Sequence, residues 1–460
     1  MKTTALITSL IVLTALAPTP AAGDDPGTSK SVPVQSPTDL RSIGLTVKLD
    51  EVVRLVALRN PTVLAGAARW SGSREKRAQV TSLPDPRIEW MSFTRQMMPE
   101  NERWGLSLSQ SFPVPAKLSL AGRVADRESR QARLRYEMAL RNALSEAKEA
   151  FFELYYIDRA RRVTGEVLAL YERYASLAVG GDEAGQPRLP ETFRAESQKA
   201  QLAHDLILLT EMRRAEVERL RGLLGAPEGT PIGATSDVVE PTGDLPPLEH
   251  LQSLSLKYNQ ELASSGVEVD KARDQVRLAR LAPLPELMIG TRYMGTGGKG
   301  FPEGDPTSDP VVVTAEITLP IWYGKYRAMA REARQNETAA RFDQEAQKLQ
   351  VRTDLARAYF TLSNASRLVR LYGRTLLPQA RQALGSAESL YRNGATSMFA
   401  LIEVASTVHN FELARLRALA DLYQNVARIE RIVGTAIELA PAQPDAPGRP
   451  DVEATGEAGR

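Results

Sequence analysis

Between residues 117 and 179 the apolar positions recur at helical spacing and no proline intervenes. At about 1.5 Å per residue, such a helix is about 95 Å long. A helix of that length does not fold into a compact enzyme domain. It is preceded by WGLSLSQSFP, residues 104–113, where strict alternation replaces helical periodicity. A second strand-then-helix passage follows about two hundred residues later, so the chain reads as a duplication.

Taken in order, each copy has the same parts. LTVKLDEVVRLVALRNP, residues 45–61, sets Leu49, Val52, Val53, Val56 and Ala57 on one helical face, and LEHLQSLSLKYN, residues 248–259, repeats the design. Leu83-Pro84 and Leu284-Pro285 then lead into alternating segments, 87–93 and 286–294. A polar stretch at 95–103 and a glycine-rich one at 295–310 read as hairpin loops. The returning strands, 104–112 and 311–319, stop at Pro113 and Pro320. Arg123, Arg127 and Glu128 match Arg327, Arg331 and Glu332, and Ala150-Phe151-Phe152 parallels Ala358-Tyr359-Phe360. The second long helix, 325–392, contains Pro378, which predicts a kink or short break. Turns at Gly180-Gly181 and Gly394 reverse the chain into helices over 189–224 and 396–433.

The expected domains are a signal peptide at 1–22, a flexible segment at 23–44, a first repeat at 45–225, a linker at 226–247, a second repeat at 248–434 and a flexible tail at 435–460. The signal peptide rests on Lys2 followed by an apolar run, Ala5 to Leu16, too short to cross about 30 Å of hydrocarbon, and on small residues before Gly23. With no cysteine in 460 residues, an exported chain has neither disulfides nor a lipid-carrying cysteine, so packing and assembly must hold it. The net charge of +2, with acids and bases interleaved, offers no basic patch and hence no nucleic-acid partner.

The strands carry the functional signal. Trp104, Leu106, Leu108 and Phe112 alternate with Ser107, Ser109 and Ser111; Val311, Val313, Ile317 and Leu319 alternate with Thr314, Glu316 and Thr318. Apolar outside and small or polar inside is the pattern of an outer-membrane barrel strand, with Trp90, Trp104, Trp322 and Tyr323 placed to sit at membrane interfaces. A half-buried sheet of a soluble protein alternates in the same way. Four strands cannot close a barrel, which takes about eight, and an open edge in lipid leaves backbone groups unpaired. If this sheet enters a membrane, several copies must complete it.

Over residues 45–434 the sequence resembles the TolC-type outer-membrane efflux proteins. The resemblance lies in LDEVVRLVALRNP, in LSLSQSFPVP and AEITLPIW at the strand-to-helix junctions, in the two-fold repeat, and in LYRNGATSMFALIEV at the second helical turn. It implies a mainly α chain with a small antiparallel β part, assembled as a homotrimer: a twelve-stranded barrel in outer-membrane lipid, continued by a periplasmic helical tunnel. It also implies partners, a periplasmic adaptor and an inner-membrane transporter, and a cargo of metal ions, small organic molecules or polypeptides. A periplasmic coiled-coil adaptor or scaffold without a barrel is the alternative reading. The barrel-strand pattern makes Trp104, Leu106, Leu108, Phe112, Val311, Val313, Ile317 and Leu319 lipid-facing, and Ser107, Ser109, Ser111, Thr314, Glu316 and Thr318 lumen-facing. The resemblance further makes Tyr391, Arg392, Gly394 and Thr396 an adaptor-docking tip. Aligned on Gly394, the two acidic positions that ring the family's periplasmic constriction fall on Ala400 and Glu403, so only Glu403 keeps the acid. The first turn, VGGDEAGQPRLPETF, departs from the Tyr-Arg-x-Gly form of the second.

No catalytic residue, cofactor or metal site is expected. His204, His250 and His409 are far apart and in no ligand spacing, and GTGGKG lacks the context and the following Ser or Thr of a phosphate loop. Met97-Met98 could offer soft thioethers to copper(I), but an adjacent pair beside a loop is no site by itself. Tyr155, Tyr156, Tyr171 and Tyr174 read as helix-packing aromatics.

Overall fold

A computed structural model describes residues 42–92, 102–180, 189–240, 243, 245–296 and 311–437. The expected signal peptide, both hairpin loops with Met97-Met98, the tip of the first helical turn and nearly all of the C-terminal tail lie outside the described residues. Each repeat begins with two consecutive helices. In the first these are α1 (Leu49–Arg59) and α2 (Pro61–Thr81); in the second, α5 (Leu248–Tyr258) and α6 (Gln260–Leu281). Strands β2 (Arg87–Ser92) and β3 (Glu102–Phe112) follow α2, and β5 (Leu287–Thr296) and β6 (Val311–Ile317) follow α6. The long helix α3 (Pro115–Gly180) and its return α4 (Leu189–Leu224) close the first repeat. In the second, α7 (Tyr323–Arg370) and α8 (Leu377–Arg392) lead to α9 (Met398–Val433). Two short strands, β1 (Thr46–Val47) and β4 (Ala234–Thr235), pair in parallel beside α3.

An asparagine in extended conformation makes the joint in each pair. Asn60 accepts from the backbone N–H groups of Thr62 and Val63 at 3.0 and 3.2 Å, capping α2, whose first residue Pro61 has no N–H to satisfy. Its amide donates to the carbonyl of Leu223 at 2.9 Å, in the last turn of α4. Asn259 repeats the cap and the tie without the proline: it accepts from Leu262 N–H at 2.7 Å and donates to Ile432 O at 2.7 Å, near the end of α9. A glycine with positive φ follows each returning helix, Gly225 at 56° and Gly434 at 88°. The left-handed conformation excludes ordinary side chains there. Space excludes them too, since a Cβ on Gly225 would lie 2.9 Å from Arg59 O and one on Gly434 would collide with Tyr258 O.

The core is a series of apolar seams between helices. One gathers Tyr155, Leu251, Leu355, Leu362, Leu419, Leu422, Ile429 and Val433; another, towards the second helical turn, gathers Tyr171, Tyr174, Leu202, Met398, Leu401 and Ile402. Helix α3 packs against α2, α4, α6 and α9, and α6 lies between α3 and α7. Asp158 of α3 fixes β4 by accepting from Thr235 N at 3.0 Å, and it holds Arg213 of α4, whose guanidinium also donates to Gly233 O at 2.7 Å.

The interruption of the second long helix lies before Pro378. Residues Leu371–Leu376 form a π-helical turn, and Pro378 sits in the first turn of α8. Proline has no N–H and its ring crowds the carbonyl four residues back, so the ladder is disturbed upstream of the proline and takes the wider turn there.

Candidate functional site

The four longer strands form one antiparallel sheet in the order β2-β3-β5-β6. Residues directly opposite in an antiparallel pair share a face, so the register sorts every side chain. Leu106 faces Trp90 and Tyr293; Leu108 faces Ile88 and Thr291; Phe112 faces Leu287, which faces Ile317; Val313 faces Thr291 and Val311 faces Tyr293. Trp104, Leu106, Leu108, Phe112, Val311, Val313 and Ile317 therefore lie on one continuous face shared by both repeats. Ser107, Ser109, Ser111, Thr314 and Glu316 lie on the other, with Glu89 and Arg292. Leu319 and Thr318 stand beyond β6, because β5 offers no ladder partner past Leu287; Thr318 N–H still donates to Glu286 O at 3.1 Å.

The apolar face is uncovered: Ile88 and Val313 are each 75% exposed and Trp90 61%. At the end away from the helices, the Trp104 ring stacks on Trp90 at 4.9 Å and leans on Tyr293 at 5.4 Å. It occupies the space above Gly295, where a Cβ would collide with the indole. Trp322 and Tyr323 lie exposed beyond the other end. Among the described residues β2 and β6 each have a single strand neighbour, so both edges of the sheet are open.

Far along the sequence from the sheet, α8 and α9 meet in a tight turn. Gly394 has φ 71° and open space about it, the Ala395 N–H donates to Leu390 O at 2.9 Å, and Ser397 caps α9 by accepting from Ala400 N–H. Arg392 is exposed and its Nε donates back to Glu388 O at 3.4 Å; Thr396 is half-buried, and Tyr391 packs at the margin of the apolar seam below. Glu403 lies in the second turn of α9 with its side chain in solvent. The tyrosines of α3 brace this end: Tyr171 donates to Ile402 O at 3.0 Å and Tyr174 to Glu388 Oε1 at 2.8 Å. Burial pushes the Tyr171 phenol up to about 12 and raises that of Tyr174 further, the Glu388 carboxylate adding to it. Both remain neutral donors at any physiological pH. Tyr155 and Tyr156 serve the bundle likewise, Tyr156 lying under the Arg417 guanidinium at 5.0 Å while Arg417 grips Glu153 through both carboxylate oxygens at 2.8 Å.

Among the described residues no group of three or more His, Asp or Glu side chains is placed to hold a metal ion, and no helix is long and apolar enough to cross a membrane. His409 is buried on α9 while His204 and His250 lie apart on α4 and α5. Sequence reasoning missed the joint asparagines as a pair. The signal was present: each ends a short amphipathic helix at the same place in its repeat.

A duplicated helical hairpin carrying two strands per repeat, with one uncovered apolar sheet face, is the fold of the TolC-type outer-membrane channels. The outer-membrane channel OprN superposes with a TM-score of 0.72 at 19% identity, over 84% of this chain and 90% of that one. CusC gives 0.70 at 14% identity over 92% and 100%, and the open state of the Neisseria gonorrhoeae MtrE outer-membrane channel gives 0.70 at 16% over 87% and 94%. Residues 251–435 match the outer membrane efflux protein family, which places that family's sequence pattern in the second repeat. The match and the fold agree with the resemblance drawn from the junction and turn motifs, and the family is one of efflux proteins, not of enzymes. No curated protein matches the chain.

Proposed function

We propose that this chain is one protomer of a trimeric outer-membrane duct, exported by its N-terminal signal peptide, residues 1–22. Three sheets of four strands would close a twelve-stranded barrel, with the helices continuing as a periplasmic tunnel that receives cargo from an adaptor and an inner-membrane transporter. The observation that carries this reading is the exposed apolar face running unbroken across strands of both repeats and ending at two open edges. In water that face and those edges are a liability; in lipid the face is satisfied, and ring closure removes the edges. Trp104, Leu106, Leu108, Phe112, Val311, Val313, Ile317 and Leu319 then face lipid, and Ser107, Ser109, Ser111, Thr314, Glu316 and Thr318 face the water-filled lumen. The span from Trp104 to Phe112, eight residues at about 3.4 Å and tilted, approaches the apolar band of about 25 Å found in such barrels, with aromatic residues near both ends. Glu403 of each copy would line a constriction, and the Tyr391, Arg392, Gly394 and Thr396 turn would meet the adaptor. In this role the protein is a passive path and performs no chemistry.

The test is fractionation and conductance of the full chain. The expected result is an oligomer in the outer-membrane fraction that changes mobility on heating and opens discrete channels in planar bilayers. Recovery as a soluble periplasmic monomer would overturn the reading in favour of a scaffold.

A further inference from the structure

Past the end of α9 the chain follows a path fixed by two contacts. Gly434, at φ 88°, turns it, and Ile437 comes back to α9, its N–H donating to Glu430 Oε1 at 3.2 Å. Here the chain runs between two clefts. Ile437 lines a groove of about 580 Å³ walled by Phe151 and Phe152 of α3, Val238 of the linker, and Tyr423 and Val426 of α9. Ala436, one residue earlier, lines a cleft of about 150 Å³ with Arg141 and Lys148 of α3 and Arg431 of α9. Lys148, Ala427 and Glu430 line both and form the partition between them.

The two clefts differ in chemistry. The larger has an aromatic floor, where Phe151 and Phe152 are buried and the Tyr423 ring stacks on Phe152 at 4.7 Å. The smaller is cationic. Lys148 is bonded to Glu430 Oε2, but neither Arg141 nor Arg431 has a hydrogen bond or ion pair among the described residues. Glu261 and Asp354, which share a third cleft with the two arginines, accept instead from Gln347 and Gln350 at 2.8 Å. Burial outweighs the pull of Glu137 and Glu430 on Arg141 and lowers its pKa, as it does where a cation lacks an anion in contact.

Consecutive residues of an extended chain point to opposite sides, and Ala436 and Ile437 already line different clefts. The next two residues match the same alternation in chemistry. Glu438 falls on the side of Ala436 and the arginines, and Leu439 on the side of Ile437 and the aromatic groove. After them the sequence reads APAQPDAPGRPD, with no large apolar residue before Val452. We propose that the chain's own Glu438 and Leu439 occupy the two clefts, Leu439 inserted against Phe152, Tyr423 and Val238, and Glu438 bridging Arg141 and Arg431. These residues form a strap that binds the end of the second repeat to α3 of the first and to the linker between them. The strap is intramolecular, so it stands or falls independently of the duct.

The full-length chain, which has no cysteine, tests this directly. Leu439→Cys with Val238→Cys, treated with a short bis-maleimide, should link within one chain: the denatured protein stays monomeric, and trypsin releases the two peptides joined. Val452→Cys with Val238→Cys should give much less of that product. Leu439→Asp and Glu438→Arg should each lower the Tm, and Glu453→Arg should not. Arg431→Glu should lower it too, and Glu438→Arg combined with Arg431→Glu should lower it less than either alone. Links between chains in place of links within one would assign the groove to a second copy. No link at all, with Tm unchanged in Leu439→Asp and Glu438→Arg, would leave both clefts without this occupant. Either result overturns the strap.

Discussion

The side-chain amide of Asn259 donates to the carbonyl of Ile432 at 2.7 Å while its oxygen caps α6, and only 6% of the residue is exposed. One residue thus closes α5 through its backbone N–H, starts α6 and ties the joint to α9. Removing its side chain leaves a buried carbonyl unpaired and a helix uncapped. Asn259→Ala should cost about 2 to 3 kcal/mol, a cap of about 1 and an unsatisfied acceptor of 1 to 3 that partly relaxes. Asn259→Asp keeps the cap but turns an anionic oxygen on the Ile432 carbonyl, so it should also destabilise at neutral pH and recover as acid protonates the new carboxyl. Thermal unfolding followed by helical circular dichroism checks both.

The two faces of the sheet should respond differently to charge. Arginine at Leu108 or Val313, which face Thr291 in mid-sheet, is expected to cost about 2 to 4 kcal/mol near the bilayer midplane, and arginine at Ser109 or Thr314 much less. The yield of assembled oligomer in the outer membrane measures this, and equal losses from both faces would contradict the assignment of sides.

At the turn between α8 and α9, Arg392 projects into solvent beside a glycine held at φ 71°. Arg392→Glu should leave folding unchanged, since its one described bond is a long one to Glu388 O, yet weaken site-specific crosslinking to a periplasmic adaptor and reduce export. Unchanged crosslinking and export would remove the turn from the docking surface.

Glu403 has its side chain in solvent on the same end of α9. Around a three-fold axis its copies would crowd negative charge into a narrow ring and attract cations. Reconstituted Glu403→Gln channels are expected to assemble normally but to lose part of their cation preference and of their block by multivalent cations. Identical conductance, selectivity and block would place the constriction elsewhere.

His409 is buried on α9 and its Nδ1 has no hydrogen-bond partner among the described residues. Burial lowers its pKa, against the opposing pull of Asp205 on α4 and Glu412 on α9. The folded chain therefore takes up this proton less readily than the unfolded one, whose imidazole titrates near 6.5. Stability from this site is complete above that pH, declines as pH falls through it, and levels off below the folded value. The drop in Tm from pH 7.5 to pH 5 should be smaller in His409→Gln than in the unsubstituted protein.

What could be read from the chain depended on the range of the interaction. Helical periodicity and strand alternation are local, so the long helix around Tyr155 and the two rows of strand residues, Leu106 with Leu108 and Ser107 with Ser109, were legible. The π turn at Leu371–Leu376 was displaced from the expected site because proline acts on the carbonyl a turn behind it. Strand β6 ends at Ile317 rather than Leu319 because its length is set by β5, not by its own alternation. Asn60 and Asn259 find their carbonyls more than 160 residues away, at Leu223 and Ile432, and no window along the sequence contains both partners.

The open edges of the sheet have a genetic consequence. A ring with one defective seam stays open in lipid, so in the proposed assembly of three a faulty copy spoils its two sound neighbours as well. When half the copies in a cell carry such a fault and mix at random, only about one ring in eight is free of it. Substitutions along β2 and β6 should therefore be dominant, whereas loss of the whole chain from one of two gene copies should merely halve the number of ducts.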